Sequence, residues 1–284
     1  MYTDGPTRRT TRRRLLRWYG RAGRDLPWRQ TRDPYAILVS EVMLQQTQVS
    51  RVIPAYTSFL KRFPTLSALA RASLGDVLRA WAGLGYHRRA QDLHRTARFA
   101  TAGLPRDLAA LDALPGVGAY TTGAVACFAH GARVAFADTN IRRVLGRIVL
   151  GRVASEREAV AIDRELMPRD AATWHHALMD LGATVCIARA PRCADCPLRV
   201  GCVSRERAGP TPRQVLCVIA KPQMPFASSD RRVRGRIIAL LRGGDRTTAA
   251  LRRELADARV QRLAGSLMRE GLIERHGAKV GLPA

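Results

Sequence analysis

The stretch Leu111–Tyr120, LDALPGVGAY, joins a short apolar helical run to a Pro115-Gly116-Val117-Gly118 turn, after which the pattern predicts a second helix through Ala129. Gly116 and Gly118 let the backbone bend sharply and come close to a ligand, and the amide N–H groups opening the second helix are placed to hold a phosphate. Val117 sits between them at the tip. A turn of this kind grips a nucleic-acid backbone and reads no bases. By itself a Gly-x-Gly turn is more often a plain helix connection, so its meaning rests on the rest of the chain.

The rest of the chain is strongly basic. Its 284 residues carry 48 Lys and Arg against 23 Asp and Glu, a formal net charge of +25, which points to a polyanion and first to nucleic acid. Lys61, Lys221 and Lys279 are the only lysines, so nearly all of that charge is guanidinium, suited to bidentate phosphate contact. Codon bias in a GC-rich genome accounts for Arg over Lys but not for the excess of base over acid. The arginines are spread along the chain, not gathered on one amphipathic helix, which argues against a membrane-surface role. Beside this charge the Leu111–Tyr120 turn reads as a helix-hairpin-helix signature. No apolar run approaches the ~20 residues that span a bilayer, and the opening MYTDGPTRRTTRRR lacks the apolar stretch of a signal peptide. The expected location is the cytoplasm.

Further along, CIARAPRCADCPLRVGC sets Cys186, Cys193, Cys196 and Cys202 in the order C-x6-C-x2-C-x5-C. Four thiolates this close in sequence can enclose one metal centre, either a cubane iron–sulfur cluster or a tetrahedral zinc. Zinc sites more often show two C-x2-C pairs; only one pair here is that tight, and the spacing favours iron–sulfur. Disulfides or inert buried thiols are the bland alternative, weakened because Cys127 and Cys217 lie far off. Arg189 and Arg192, in the loop between the first two cysteines, suit a DNA backbone contact.

Helical spacing of apolar residues covers Ala36–Met43, Val49–Phe63 and Leu74–Trp81, with Pro54, Pro64 and Gly83 as punctuation, and no sustained period-two alternation appears. Ser67 and Ser73 are expected to cap short helices, and Asp107 to start one that ends at Leu114. The arginine-rich start, Arg8 to Arg17, reads as a mostly solvated helix. Glu206 to Ser229, rich in Pro and Gly, reads as a linker. Beyond it Arg231–Leu241, Thr247–Ala256 and Val260–Glu270 predict three helices, followed by a hairpin in GLIERHGAKVGLP. Three helices and a wing describe a winged-helix-like module, whose partner is DNA or protein.

Several motifs agree in order and spacing: Leu26-Pro27-Trp28-Arg29, Pro34-Tyr35, SEVMLQQTQV (Ser40–Val49), GLGYHRRAQDLH, LPGVGAYTTGAV, ADTNIRRVLGR and the four cysteines. Together, over roughly Leu15 to Cys202, they closely resemble the MutY-type adenine DNA glycosylases of the endonuclease III superfamily. The resemblance implies an all-α, two-lobed helix-hairpin-helix DNA glycosylase fold. Its six-helix barrel lobe would be residues 35–134, and its iron–sulfur cluster lobe residues 1–34 with 135–205. A linker at 206–227 and the small C-terminal winged-helix-like module at 228–284 would follow. It also implies a [4Fe-4S] cluster on the four cysteines, a monomer acting on double-stranded DNA with a mispaired base, a bacterial, nucleoid-associated location, and excision of adenine opposite 8-oxoguanine or guanine.

Hydrolysis of an N-glycosidic bond needs an acid for the leaving base and a negative group near the developing sugar cation. By resemblance Glu41 is the acid, its carboxyl flanked by Val42, Met43 and Leu44, where desolvation would raise its pKa. Asp138 is the second carboxylate, also readable as a plain helix N-cap, and Asn140 orients the carboxylates. Tyr120 stands where the strand-cleaving relatives have a lysine; a phenol forms no Schiff base, so hydrolysis without efficient strand scission is expected. Arg29 and His176 are assigned to the base pocket. Gln45, Gln46, Leu84 and Tyr86 resemble residues that enter the duplex to fill the gap left by a flipped base, with Gly116, Val117 and Gly118 on the backbone.

The sequence departs from the family at three places. Thr139 replaces the usual glycine between Asp138 and Asn140, His176 stands where relatives often have Gln or Glu, and the segment from about Ser228 is too short for the NUDIX-type domain that recognises 8-oxoguanine. A related mismatch glycosylase for thymine, uracil or hypoxanthine is therefore one alternative, and a non-catalytic, cluster-containing DNA-binding regulator another. Two carboxylates facing a phosphate-rich ligand argue against the latter.

Overall fold

Side-chain caps start many of the helices. Asp33, Thr65, Ser73, Asp107, Asp138, Ser155, Asp170 and Thr247 each accept a hydrogen bond from an amide of the first turn, satisfying a donor that a helix start leaves unpaired. The computed structural model describes residues 5–208 and 225–284. In chain order its helices are α1 (Gly5–Ala22), α2 (Pro34–Leu44), α3 (Val49–Arg62), α4 (Leu66–Arg71), α5 (Leu74–Ala80), α6 (Arg88–Phe99), α7 (Leu108–Asp112), α8 (Ala119–His130), α9 (Thr139–Val149), α10 (Glu156–Leu166), α11 (Ala171–Thr184), α12 (Val203–Ala208), α13 (Asp230–Leu241), α14 (Thr248–Leu255) and α15 (Val260–Arg269). A two-stranded antiparallel hairpin, β1 (Glu274–His276) and β2 (Lys279–Gly281), ends the described chain, with Arg275 opposite Val280. Among the described residues no helix is long and apolar enough to cross a membrane.

The described chain groups into two units, residues 5–32 with 119–208 and residues 33–118 with 225–284. This division differs from the expected boundary at residue 134. Ala124 and Cys127 of α8 are fully buried in the same apolar cluster as Leu15, Ile141, Trp174 and Leu178, which draws α8 into the first unit. Residues 225–284 likewise group with the second unit instead of standing alone. Of the expected linker, residues 209–224 lie outside the described residues, as does Cys217.

In the first unit α9 packs on α11, α10 and α12, and α1 packs on α11. The first helix is thus more than a solvated arm: Leu15 is fully buried, and Arg12 donates to the carbonyls of Glu165, Leu166 and Met167, closing the C-terminus of α10. Inside, Asp163 accepts from Trp174 Nε1 at 2.7 Å and pairs with His175 Nε2 at 2.8 Å, while His175 Nδ1 faces the Cys127 thiol at 3.6 Å. Burial pushes that thiol up to about 12, so it stays protonated and unreactive.

In the second unit α2 is buried on every side from Tyr35 to Met43, as its unbroken apolar sequence requires. Phe59 meets Phe63 and Trp81 edge-on, with ring centroids 5.0 and 5.8 Å apart. Three local expectations are corrected. Pro54 lies inside α3 and does not end it; Thr65, not Ser67, caps α4; and α7 stops at Asp112, before Leu114. Ser67 instead accepts from Arg71 one turn on.

Candidate active site

Asp138 lies at the start of α9 with extended backbone, φ −82° and ψ −177°. Its Oδ1 accepts from the Ile141 amide and its Oδ2 from Asn140 Nδ2, both at 2.7 Å. Burial raises the Asp138 pKa, these hydrogen bonds and the Arg143 charge pull it down, and the net shift is upward. Asn140 in turn accepts from Arg143 Nη2 at 2.7 Å, and the same guanidinium donates to the carbonyls of Gly182 at 2.6 Å and Cys186 at 2.7 Å. A Cβ on Gly182 would lie 2.6 Å from Asn140 Cβ, so only glycine lets α11 pass this close. The carboxylate is therefore fixed through a continuous chain from the Cys186 carbonyl, by Arg143 and Asn140, to Asp138.

Arg29 makes a two-pronged ion pair with Asp180, Nη1 and Nη2 each 2.8 Å from a carboxylate oxygen, and also donates to Tyr19 Oη at 3.3 Å. Arg24 adds a third guanidinium nitrogen at 2.7 Å. Burial alone would raise Asp180; the hydrogen bonds from Arg29 and Arg24 outweigh it and hold the carboxyl below its usual range. His176 stacks on Phe128 with ring centroids 4.2 Å apart, and burial, then the Arg29 charge, push its pKa down to about 3. It is neutral at physiological pH, with one ring nitrogen to donate and one to accept. Tyr120, half-buried in the first turn of α8, lies edge-on to Phe136 at 5.6 Å. Of these first-unit residues, Asp138 opens α9, Tyr120 lies in the first turn of α8, and His176 lies within α11 against Phe128 near the end of α8.

The second unit holds the remaining candidates. Glu41 is 6% exposed and is the only carboxylate of α2. Just beyond that helix Gln46 takes φ +57°, and Tyr86 takes φ +48°, left-handed backbone that non-glycine residues adopt at a cost. Tyr86 is 39% exposed and its hydroxyl reaches Gln46 Oε1 at 3.4 Å, so the two strained residues meet. Gln45 precedes them and is partly buried, whereas Leu84 and Val117 are buried, unlike exposed Tyr86. Gly116 takes φ +73° with Asp92 packed where a side chain would go; Gly118 has open space instead. The turn closes through Val117 N–H to Leu114 O at 3.1 Å, and Thr96 Oγ1 donates to Pro115 O at 2.8 Å.

The four cysteines line one cavity of about 950 Å³, together with Arg147 and Ser204. All four are free thiols, which removes the disulfide alternative. Among the described residues, no group of three or more His, Cys, Asp and Glu side chains stands in metal-holding geometry. Arg147, 2% exposed, donates to the carbonyls of Ile187 at 2.9 Å and Ala188 at 2.8 Å and to Cys186 Sγ at 3.4 Å. Ser204 lines this cavity, its hydroxyl buried and without a partner among the described residues.

Residues 39–169 match the family model described as HhH-GPD superfamily base excision DNA repair protein. The adenine DNA glycosylase of Mycolicibacterium smegmatis is 44% identical over 276 residues, 92% of this chain and 92% of that one. The chain belongs to the adenine DNA glycosylases. The Mycobacterium tuberculosis adenine DNA glycosylase is 42% identical over 280 residues, covering 92% of this chain and 89% of that one. Among solved structures, a thermostable thymine-DNA glycosylase superposes with a TM-score of 0.63 at 29% identity, over 71% of this chain and 98% of that one. The glycosylase is thus an adenine-specific DNA N-glycosylase of base excision repair, built on the all-α helix-hairpin-helix fold. Its alignment with the mycobacterial relatives is long enough to take in much of residues 225–284.

Sequence reasoning passed over four arginines and an aspartate of this glycosylase. Arg89 donates to the carbonyls of Val42, Met43, Gln45, Leu84 and Gly85 at 2.5–3.3 Å, tying the end of α2 to the Tyr86 loop. Burial lowers its pKa to about 10, which leaves it charged at neutral pH. Arg143 and Arg147 do the same for the cysteine loop, and Asp180 anchors Arg29. Their only signal was spacing: Arg143 and Arg147, four residues apart, share one face of α9 away from Leu145, and burial there obliges each guanidinium to find acceptors. Arg231 carried no such signal, since its partner Tyr86 is far away in the sequence.

Proposed function

We infer that the protein is a monofunctional glycosylase acting, as a cytoplasmic monomer, on adenine mispaired with 8-oxoguanine or guanine in double-stranded DNA. Asp138 carries the reading. Its two oxygens are held at 2.7 Å by an amide and by Asn140, so an anion is set in place before any sugar cation develops. In this reading Glu41 gives a proton to the leaving adenine, and the C1′–N9 bond breaks with its electron pair going to the base. The Asp138 carboxylate stabilises the sugar cation, and water adds to C1′ while losing a proton. Asn140 keeps Asp138 oriented. Arg29, locked on Asp180, and neutral His176 supply a rigid wall with hydrogen-bonding edges for the purine. Tyr120 in place of a lysine supports hydrolysis without Schiff-base strand cleavage. Gln45, Gln46 and Tyr86 are assigned to the duplex, with buried Leu84 behind them, and the Gly116-Val117-Gly118 turn to a phosphate.

The cysteine cavity fits a [4Fe-4S] cluster. Four free thiols line one space, and four thiolates are the donor set that such a cluster takes. Cys186, Cys193, Cys196 and Cys202 would hold it, and Arg147 would donate toward the Cys186 sulfur. Bound there, the cluster would cross-link the segment from Cys186 to Cys202, whose backbone Arg143 and Arg147 hold from α9.

The test is single-turnover cleavage of duplexes carrying A opposite 8-oxoguanine, A opposite G, T opposite G and U opposite G, with products analysed before and after alkali. Adenine release that becomes a strand break only after alkali is expected. Breaks without alkali would overturn the monofunctional reading, and equal release of adenine from an added A·T control duplex would overturn the mispair reading. The likeness to a thymine-DNA glycosylase makes the T·G duplex the informative competitor.

A further inference from the structure

The first turn of α13 is built into the Gln46–Tyr86 surface. Arg231 donates to the Tyr86 hydroxyl, and its guanidinium stands 5.7 Å from the Tyr86 ring centroid, while Arg89 stands 5.3 Å from the same ring. Residues 225–284 are held against the second unit's other helices by backbone contacts that a mobile appendage would not make. Gly75 N–H donates to Pro283 O at 2.8 Å, and a Cβ on Gly75 would collide with that same oxygen. Gln91 Nε2 donates to Glu270 O at 2.8 Å, and Arg242 Nε to Leu78 O at 3.3 Å.

This docking leaves two adjoining recesses. One, of about 830 Å³, is walled by Gln46, Tyr86 and Arg89 on one side and by Ser229, Arg231 and Arg259 on the other. The next, of about 760 Å³, shares Gln46, Tyr86 and Arg231 and adds exposed Phe226 with Arg51 and Arg88. Exposed aromatic faces beside guanidinium groups are the chemistry of a nucleotide site: the ring stacks a base and the arginines pair its phosphate.

We propose that α13 and the turn before it form part of the DNA-binding surface, and that Arg231 with Tyr86 holds one nucleotide of the strand opposite the excised adenine. The proposal rests on the reading of Tyr86 as a duplex-entering residue and extends it to a helix outside the family's catalytic motifs. The occupant is nucleic acid and not a partner protein, because the recesses gather guanidinium groups beside the strained residues Gln46 and Tyr86, and the acids that line them, Asp230, Glu270 and Asp92, are already paired with arginines: Asp230 with Arg259 and Arg262, Glu270 with Arg234, and Asp92 with Arg95. Arg231 is thereby a DNA-binding residue that leaves the chemistry at C1′ to other groups.

The experiment compares the full-length wild-type chain with Arg231→Ala, Arg231→Lys and, as a charge-matched control on the exposed face of α14, Arg253→Ala. Equilibrium binding to an A·G duplex is followed over a range of salt, and 2-aminopurine placed opposite the target reports stacking. Arg231→Ala is expected to weaken binding about tenfold and to reduce the slope of log K against log salt by about one. The 2-aminopurine signal should change, and adenine release at saturating enzyme should fall less than about twofold, since the loss lies in binding. Arg231→Lys is expected to recover the slope and part of the affinity. Arg231→Ala binding no worse than Arg253→Ala, or an unchanged 2-aminopurine signal, overturns the proposal. Matching circular-dichroism melts for the variants separate misfolding from lost contact. Failure of wild-type enzyme to release adenine would instead defeat the functional reading, leaving the binding comparison intact.

Discussion

At the scale of single residues, Asp138 has a cap's geometry and is proposed as the catalytic carboxylate, and substitution separates the two roles. Asparagine is as good an N-cap as aspartate, so Asp138→Asn should preserve α9 and DNA binding. Turnover should fall about 100- to 1,000-fold as the anion is lost. Loss of binding in step with turnover would show that the residue only caps. Because burial raises the Asp138 pKa and the Asn140 amide lowers it, the acid limb of the pH–rate profile belongs above the ordinary aspartate range. Asn140→Ala removes a lowering contact, so that limb should move further toward neutrality; a limb that stays put detaches it from Asp138. Tyr120 permits the opposite kind of test. Tyr120→Lys should create a complex trapped by borohydride if this position faces the sugar, and no trapped complex would place it elsewhere. The catalytic candidates were legible because each lies in a contiguous motif. Arg89 and Arg143 were less so, since they answer backbone carbonyls of segments distant in sequence.

Among the elements, the helices themselves were largely readable, because caps and 3.6-residue periodicity are local signals. Ser73, Asp107 and Thr247 start helices as expected, while Pro54 shows the limit of punctuation: proline six residues into α3 is carried by packing of Val52, Tyr56 and Phe59. How α13–α15 attach could not be read, because Gly75 to Pro283 and Gln91 to Glu270 are long-range backbone contacts without a sequence pattern. His87 reports on that attachment. It is 8% exposed, Arg242 Nη2 lies 3.4 Å from its Nε2, and burial, then Arg242, Arg234 and Arg89, lower its pKa to about 4. Between about pH 6.5 and 4 the unfolded chain takes up a proton on this residue that the folded chain refuses. Stability is therefore lost as pH falls through that window, and about 2 kcal/mol should disappear between pH 7 and pH 5. Urea unfolding of wild type and His87→Gln at the two pH values tests this: the variant should lose less by roughly that amount. Equal losses would mean that His87 is not held neutral by burial.

For the molecule as a whole, charge and cysteine spacing were the most telling features of the sequence, and the second has a global consequence. A net charge of +25 strains any compact fold by self-repulsion, so something must hold the basic cysteine loop, with Arg189, Arg192 and Arg199, against the rest of its unit. Arg143 and Arg147 bind its backbone from α9, but they add positive charge of their own. Four thiolates around a cluster would supply the compensating negative charge and the cross-link together. Cys196→Ser should therefore lose the visible iron–sulfur absorbance and also destabilise the first unit. Losing an outer-shell partner weakens a metal site by up to ~100-fold, and losing a ligand outright should cost on the order of that upper figure, about 2.7 kcal/mol. That corresponds to a melting temperature lower by roughly 5–11 °C. DNA affinity should fall with it, because Arg189 and Arg192 lie on the released loop. Iron, sulfide and zinc analysis of the wild type decides the occupant: zinc without iron would replace the cluster by a single ion. A Cys196→Ser protein that keeps its melting temperature and its DNA affinity would show that the loop is held by Arg143 and Arg147 alone.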